Sequence, residues 1–324
     1  MHKLQQALTR AIEQATSVVV VGHREPDGDA LGATLGLVHV LGAMGKRVVG
    51  CNEGPIPEEY RFLPGLEQLL AGPPGWEAEL GLLLDCHQPE RAGKALGAYL
   101  EGLGQVGVVD HHEGEPSFGT IRWVETTMSA TSEMLAILCL EAGWPVGKEA
   151  ASCFFVGIQT DTGSFRYSNT TAQCLHTAAE LVERGADVWG ISQQVYATRP
   201  RRLKLLGRVM EGLELREGGK LAVGVVRLSE MRSCGCGPQD LEQAVEMLRG
   251  IPGVEVAVLL RELNDGGVKA SLRSRGKVNV AAVALEFGGG GHRNAAGMRL
   301  DMGLEQAREV VVRALEAALR EAGA

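Results

Sequence analysis

The sequence predicts an α/β protein of two domains, the first with a mostly parallel sheet flanked by helices and the second a smaller, mixed α/β domain. Three observations carry this. In the first half, short β-branched runs alternate with helical patterns, the mark of βα units. In the last third the runs are separated instead by a turn signal. Finally, 324 residues exceed one small core, since domains commonly hold about 100 to 200 residues.

In chain order, Met1 to Thr16 carries Leu4, Ala7, Leu8, Ala11 and Ile12 at helical spacing and lacks the unbroken apolar centre of a signal peptide. Ser17 to Val21, Arg47 to Cys51, Leu82 to Leu84 and Val106 to Val109 are expected as buried strands, and Ala30 to Met44 and Ser129 to Ala142 as helices. The stretch Leu31 to Met44 is dotted with glycine, contains His39, and falls short of the roughly 20 residues that cross a bilayer. No membrane segment is expected. Asp187 to Gly219 is expected as a helical connector. Its Arg199, Arg201, Arg202, Lys204 and Arg208 form a basic stretch, read first as a solvated helix face and second as a wall beside an anionic substrate. Leu221 to Leu228, Val254 to Leu263 and Val268 to Arg273 are expected strands, the last two joined by the turn Asn264-Asp265-Gly266-Gly267. Gln239 to Arg249, Val278 to Phe287 and Leu304 to Ala322 are expected helices. The expected division is a first domain at 1–186, a connector at 187–219 and a second domain at 220–324.

A hydrophobic content of 45% supports real cores and excludes a disordered chain. The formal charge of -8 argues against a stable complex with long nucleic acid, which rests on many Lys and Arg contacts to phosphate. A small anionic substrate is compatible with it, because bound cations would invert the local field. Seven cysteines without a repeated CxxC spacing indicate neither a disulfide framework nor a structural zinc site. A reducing, cytoplasmic location is the expectation.

The chemistry-bearing residues follow the apolar runs. Val21 leads into His23-x-x-x-Asp27-x-Asp29, Leu84 into Asp85, and Val109 into Asp110-His111-His112; Asp161 closes another apolar stretch. In open α/β sheets, ligands sit outside the carboxyl ends of strands, so these segments are expected to converge on one crevice. A calcium loop starting at Asp27 fails, since Leu31 and Val38 fall where oxygen ligands are needed. Asp85 alone reads equally as a helix cap, and Asp161 alone as a turn or cap. Together the four clusters indicate a metal site of carboxylate and imidazole without thiolate, suited to manganese, with magnesium as a second choice. Two cations about 3.5 to 4 Å apart would share a carboxylate and activate a water for phosphoryl hydrolysis.

Further along, Gly288-Gly289-Gly290-Gly291-His292 permits close backbone approach to an anion, with Arg273 and Arg275 as guanidinium candidates. His87 and Arg91, just after Asp85, could line the cleft. Cys234-Gly235-Cys236 reads as a loop, and His39 and His176 as structural.

These residues together resemble the DHH/DHHA1 phosphoesterase family over nearly the whole chain. His23 to Gly32 is similar to its first motif, Asp85 to its second, Asp110-His111-His112 to the triplet that names it, and Asp161 to its fourth. Gly288 to His292 with Ala295-Ala296-Gly297 is similar to the DHHA1 signature. The resemblance implies that His23, Asp27 and Asp85 hold one manganese and Asp29, Asp85, His111 and Asp161 the other, with Asp85 bridging. His112 would touch the scissile phosphate and Asp110 would orient it. Arg273, Arg275, Gly289, Gly290, Gly291 and His292 would contact substrate. Within the family, length and layout are most similar to the bacterial nanoRNases, which degrade short oligoribonucleotides and dephosphorylate 3'-phosphoadenosine 5'-phosphate. Phosphodiesterases acting on cyclic di-AMP or pApA and RecJ-like exonucleases are the alternatives. A homodimer is expected on base rate alone.

Overall fold

The computed structural model describes residues 3–114 and 116–323. Met1 and His2, included in the expected first helix, and Ala324, at the end of the expected second domain, lie outside the described residues. Two compact units, Met1–Ala197 and Thr198–Ala324, make up the chain.

The first unit contains α1 (Lys3–Gln14), β1 (Ser17–Val21), α2 (Gly28–Ala43), β2 (Arg47–Cys51), β3 (Leu80–Leu84), α3 (Lys94–Glu101), β4 (Val106–Asp110) and β5 (Ile121–Val124). Helices α4 (Thr131–Glu141), α5 (Lys148–Asp161), α6 (Ala172–Glu183) and α7 (Val188–Val195) follow. The five strands run parallel in the order β2-β1-β3-β4-β5. The runs Ser17–Val21 and Leu80–Leu84 are almost wholly buried, as expected of strands covered on both faces by crossover helices. From β1 the chain moves to β2 on one side and then returns to β3 on the other, so the order reverses between β1 and β3. Such a switch point opens a crevice at the carboxyl ends of the two strands. His23 follows β1 and Asp85 follows β3, which places both at that crevice.

Helix α2 is apolar almost all round and lies inside the unit against α5. Their close approach depends on Gly32 and Gly157. A Cβ on Gly32 would lie 2.9 Å from the Gly157 nitrogen, and one on Gly157 would lie 2.7 Å from Asp29 Oδ1. The same contact therefore brings Asp29, in the first turn of α2, near Asp161, at the end of α5. The sequence reading of Asp161 as a residue ending an apolar stretch holds, and the stretch is a helix.

The second unit comprises α8 (Pro200–Glu211), β6 (Glu214–Arg216), β7 (Leu221–Val226), α9 (Leu228–Cys234), α10 (Glu242–Gly250), β8 (Val256–Glu262) and β9 (Val268–Ser274). It ends with α11 (Val280–Glu286), β10 (Gly290–His292), β11 (Ala295–Leu300) and α12 (Leu304–Glu321). Its sheet runs β10-β11-β9-β8-β7-β6, parallel only between β7 and β8. One core cluster packs α11 and α12 with Leu221, Val258 and Leu272, and another packs α8 and α10 with Ala222, Ala257 and Leu259. Neighbouring residues of one strand join different clusters, as the alternation of a pleated strand requires.

Asn264–Gly267 turns β8 into β9, with Gly266 at φ +83° and the Leu263 amide donating to the Gly267 carbonyl at 2.8 Å. Residues 187–219, read as a helical connector, hold α7 and α8 and also β6, which pairs with β7. The glycine run, read from sequence as permissive backbone, holds a strand, Gly290–His292. Gly291, at φ +139°, lies so close to Ala295 and Ala296 that a side chain has no room. Among the described residues, no helix is long and apolar enough to cross a membrane.

Candidate metal centre

The centre is built from strand ends and two helix termini of the first unit. Asp27 caps α2, its Oδ1 accepting from the Asp29 and Ala30 amides at 3.0 Å each. Asp29 is buried at the start of α4, where Oδ2 accepts from the Thr131 amide at 2.6 Å and Oδ1 from the Ser132 amide at 2.8 Å. These free amides and the positive end of the helix dipole offset the burial of the carboxylate.

Asp85 is 1% exposed and takes φ +61°, the left-handed region that costs a residue with a side chain about 1 to 3 kcal/mol, aspartate being among the more tolerant. This turn at the end of β3 presents its two oxygens to different partners. Oδ2 lies 3.3 Å from His23 Nε2, and Oδ1 lies 3.6 Å from His111 Nε2. The Thr131 hydroxyl donates to Oδ1 at 3.0 Å.

His111 Nε2 also faces Asp161 Oδ2 at 3.4 Å and Asp29 Oδ2 at 3.8 Å, while its Nδ1 lies 3.3 Å from the Met128 carbonyl. The last contact favours a proton on Nδ1 and leaves Nε2 to a ligand. His112 is turned otherwise. Its Nδ1 is 2.8 Å from Asp110 Oδ1, and its ring is 42% exposed.

Two sets of three donors have atoms all within 4.8 Å of one another, His23 with Asp27 and Asp85, and Asp29 with His111 and Asp161. Asp85 forms a further such set with His111 and His112. The residues fit divalent cations on electrostatic grounds too. Burial, then the charges of Asp29, Asp27, Asp161 and Asp110, push the Asp85 carboxyl well above the usual carboxylate range. Burial, then Asp29 and Asp27, push Asp161 up to about 8. Carboxylates crowded this way repel one another unless protons or cations compensate. Asp110 behaves oppositely: against the effect of burial, the hydrogen bond and charge of His112, with help from His87, hold its carboxyl well below the usual range. That same hydrogen bond raises the pKa of His112, against its own burial.

In the second unit the register places His292 opposite Ala295 and Ala295 opposite Arg273, so the three share one row across β10, β11 and β9. The small side chain between them leaves His292 and Arg273 without a bulky residue separating them. Arg273 Nε donates to Glu246 Oε1 at 2.6 Å. Arg275 donates to the Arg249 and Ile251 carbonyls at 3.0 and 3.3 Å, closing the end of α10, so its guanidinium is already engaged.

Two family models match the chain, one in each unit. The DHH family, N-terminal domain, matches residues 17–158, and the DHHA1 domain matches residues 218–321. The bifunctional oligoribonuclease and PAP phosphatase NrnA of Thermus thermophilus is 34% identical, over 94% of this chain and 91% of that protein. The chain belongs to the DHH/DHHA1 family. The protein of the same name from Bacillus subtilis is 29% identical, over 90% of this chain and 91% of that one. Among solved structures, an exopolyphosphatase-related protein from Bacteroides fragilis matches with TM-score 0.93 and 29% identity, covering 100% of both chains.

Within the family triplet, Asp110 thus lies between His87 and His112, His111 faces the acid cluster, and His112, partly exposed, bonds Asp110 and stays within reach of Asp85. Of the residues singled out from sequence, His23, Asp27, Asp29, Asp85, Asp110, His111, His112 and Asp161 come together in the DHH unit. Arg273, Arg275 and Gly289 to His292 lie in the DHHA1 unit. Sequence reasoning missed the contributions of Thr131, Ser132 and Met128. Ser129 was read as the start of a helix, but the partners of its first amides lie about a hundred residues earlier, where no local pattern could point.

Proposed function

We propose that this chain is a manganese-dependent phosphoesterase that hydrolyses very short oligoribonucleotides to mononucleotides and removes the 3'-phosphate of 3'-phosphoadenosine 5'-phosphate. The observation that carries this reading is Asp85, whose two oxygens face the two donor sets from a buried position. The near full-length similarity to proteins named for both activities supports the choice of substrates. His23, Asp27 and Asp85 would hold one cation, and Asp29, Asp85, His111 and Asp161 a second. Bound there, the pair would supply Lewis acidity and a nucleophilic water near neutral pH. Oxygen and imidazole donors without thiolate favour manganese, with magnesium second.

The chain's own residues do the remaining work. Asp85 holds the donor sets in fixed relation. His112, oriented by Asp110, turns Nε2 to a phosphoryl oxygen and stabilises charge that grows in the transition state. In the DHHA1 unit, Arg273 and His292 offer donors to a phosphate, and the glycine backbone from Gly289 to Gly291 allows close approach. A manganese-supplemented activity panel tests the reading on a dinucleotide, a long single strand, cyclic di-AMP, 3'-phosphoadenosine 5'-phosphate and pyrophosphate. The dinucleotide and the adenosine bisphosphate should be the best substrates. Equal rates on the long strand would move the assignment to a RecJ-like exonuclease, and comparable efficiency on cyclic di-AMP to a signalling phosphodiesterase.

A further inference from the structure

We infer that His87 is a positioning residue for His112, acting through the carboxylate of Asp110. Asp110 is fully buried, and both its oxygens are engaged. Oδ1 accepts from His112 Nδ1 at 2.8 Å and from the His112 amide at 3.1 Å, while Oδ2 meets His87 Nδ1 at 2.5 Å. His87 is itself buried, 7% exposed, and fills the space beneath the loop that follows His112. A Cβ on Gly114 would lie 2.8 Å from its Nε2.

The geometry assigns a task to the second imidazole. A carboxylate held at one oxygen keeps a broad torsion about its terminal bond, whereas one held at both is fixed in plane. With the Asp110 plane fixed, Oδ1 sets the tilt of the His112 ring through the Nδ1 hydrogen bond and so directs Nε2 toward a ligand. An apolar residue in place of His87 would leave Oδ2 buried without a donor and free the plane to turn.

The kinetic part of this inference rests on the phosphoesterase reading. The test compares His87→Leu, His87→Asn and His87→Gln in the full chain. The amide nitrogen of asparagine falls near imidazole Nδ1, and that of glutamine nearer Nε2. We expect His87→Leu to lower kcat on a dinucleotide about 10- to 100-fold with manganese content unchanged, the usual range for residues that orient a ligand from behind. His87→Asn should restore most of that loss and His87→Gln should not. In a His112→Ala background, His87→Leu should add no further loss. Equal losses in the Asn and Gln variants, wild-type kcat in His87→Leu, or multiplicative losses in the double variant would each overturn the inference. Should His87→Leu fail to fold, the Asn and Gln comparison still decides. Long-range proton–nitrogen correlation spectra of the metal-free protein give a readout independent of activity. His112 should hold a proton on Nδ1 in the wild type and in His87→Asn, and an unprotonated Nδ1 in the wild type would overturn the inference. A wild type inactive on every substrate would instead remove the phosphoesterase reading and leave this spectroscopic test intact.

Discussion

Asp85 Oδ2 lies 3.3 Å from His23 Nε2, while the other oxygen of the same carboxylate faces His111. Sharing one buried carboxylate makes the two donor sets interdependent. Asp85→Asn should therefore lower kcat by more than about 100-fold, beyond the usual cost of losing an orienting neighbour. Asparagine also tolerates the left-handed backbone at this position, so the substitution tests charge without adding strain. Metal content by elemental analysis should fall below that of the wild type. Cations at about 100 times their Kd stabilise a native state by about 2.7 kcal/mol, and Asp85→Asn should remove most of that gain. Normal metal content and activity in this variant would refute a bridging role.

The crowding of Asp85 and Asp161 predicts an unusual pH dependence. Asp161 is pushed up to about 8, and Asp85 well above the usual range, so over the lower part of that interval the metal-free native state holds protons the unfolded chain has released. Stability then falls as pH rises from the unfolded carboxyl value toward the folded ones. His112 acts in the same direction. Its contribution is full below the unfolded imidazole value and is lost as pH rises through its raised folded value. Asp110, with a lowered folded pKa, contributes above the unfolded carboxyl value and loses that contribution only in acid. Urea midpoints in chelator should decrease between about pH 5 and pH 8, and manganese should flatten or reverse the slope, because cation binding favours ionised donors. A metal-free midpoint that climbs over that range would contradict the electrostatic picture.

Gly157 predicts a steric test of how α2 and α5 set the centre. A methyl group there would fall on Ser132 Oγ and lie 2.7 Å from Asp29 Oδ1. Gly157→Ala should cost about 1 to 3 kcal/mol in urea unfolding, as overpacking of a tight core does. It should also weaken manganese binding, since Asp29 must move. Unchanged stability and affinity would show that the helices separate freely.

In the second unit, Arg273 and Arg275 should behave differently despite their proximity in sequence. Removing a charge-assisted hydrogen bond costs about 1.5 to 3 kcal/mol, so Arg273→Ala should raise KM for a dinucleotide about 10- to 100-fold. Lysine should not restore it if the contact is bidentate. Arg275 closes the end of α10 through the Arg249 and Ile251 carbonyls, so Arg275→Ala should shift the urea midpoint more than it shifts KM. The reverse ranking would exchange their roles.

The sequence by itself made four of the five parallel strands legible, because runs such as Ser17–Val21 and Leu82–Leu84 are apolar and followed by loops, whereas β5, a short edge strand, was not read from it. It also made the candidate donors of the first unit legible, because His23, Asp85, His111 and His112 come just after strands and Asp110 ends one. Period and position are local properties and can be read without knowing neighbours. Tertiary structure alone decided what each side chain faces. Asp29 finds its amide donors on α4, Asp85 divides its oxygens between His23 and His111, and the second oxygen of Asp110 meets His87. These partners are separated by tens of residues or more, and the packing of helices against the sheet brings them together. The glycine run was legible as permissive backbone, but its conversion to strand β10 required the pairing offered by β11.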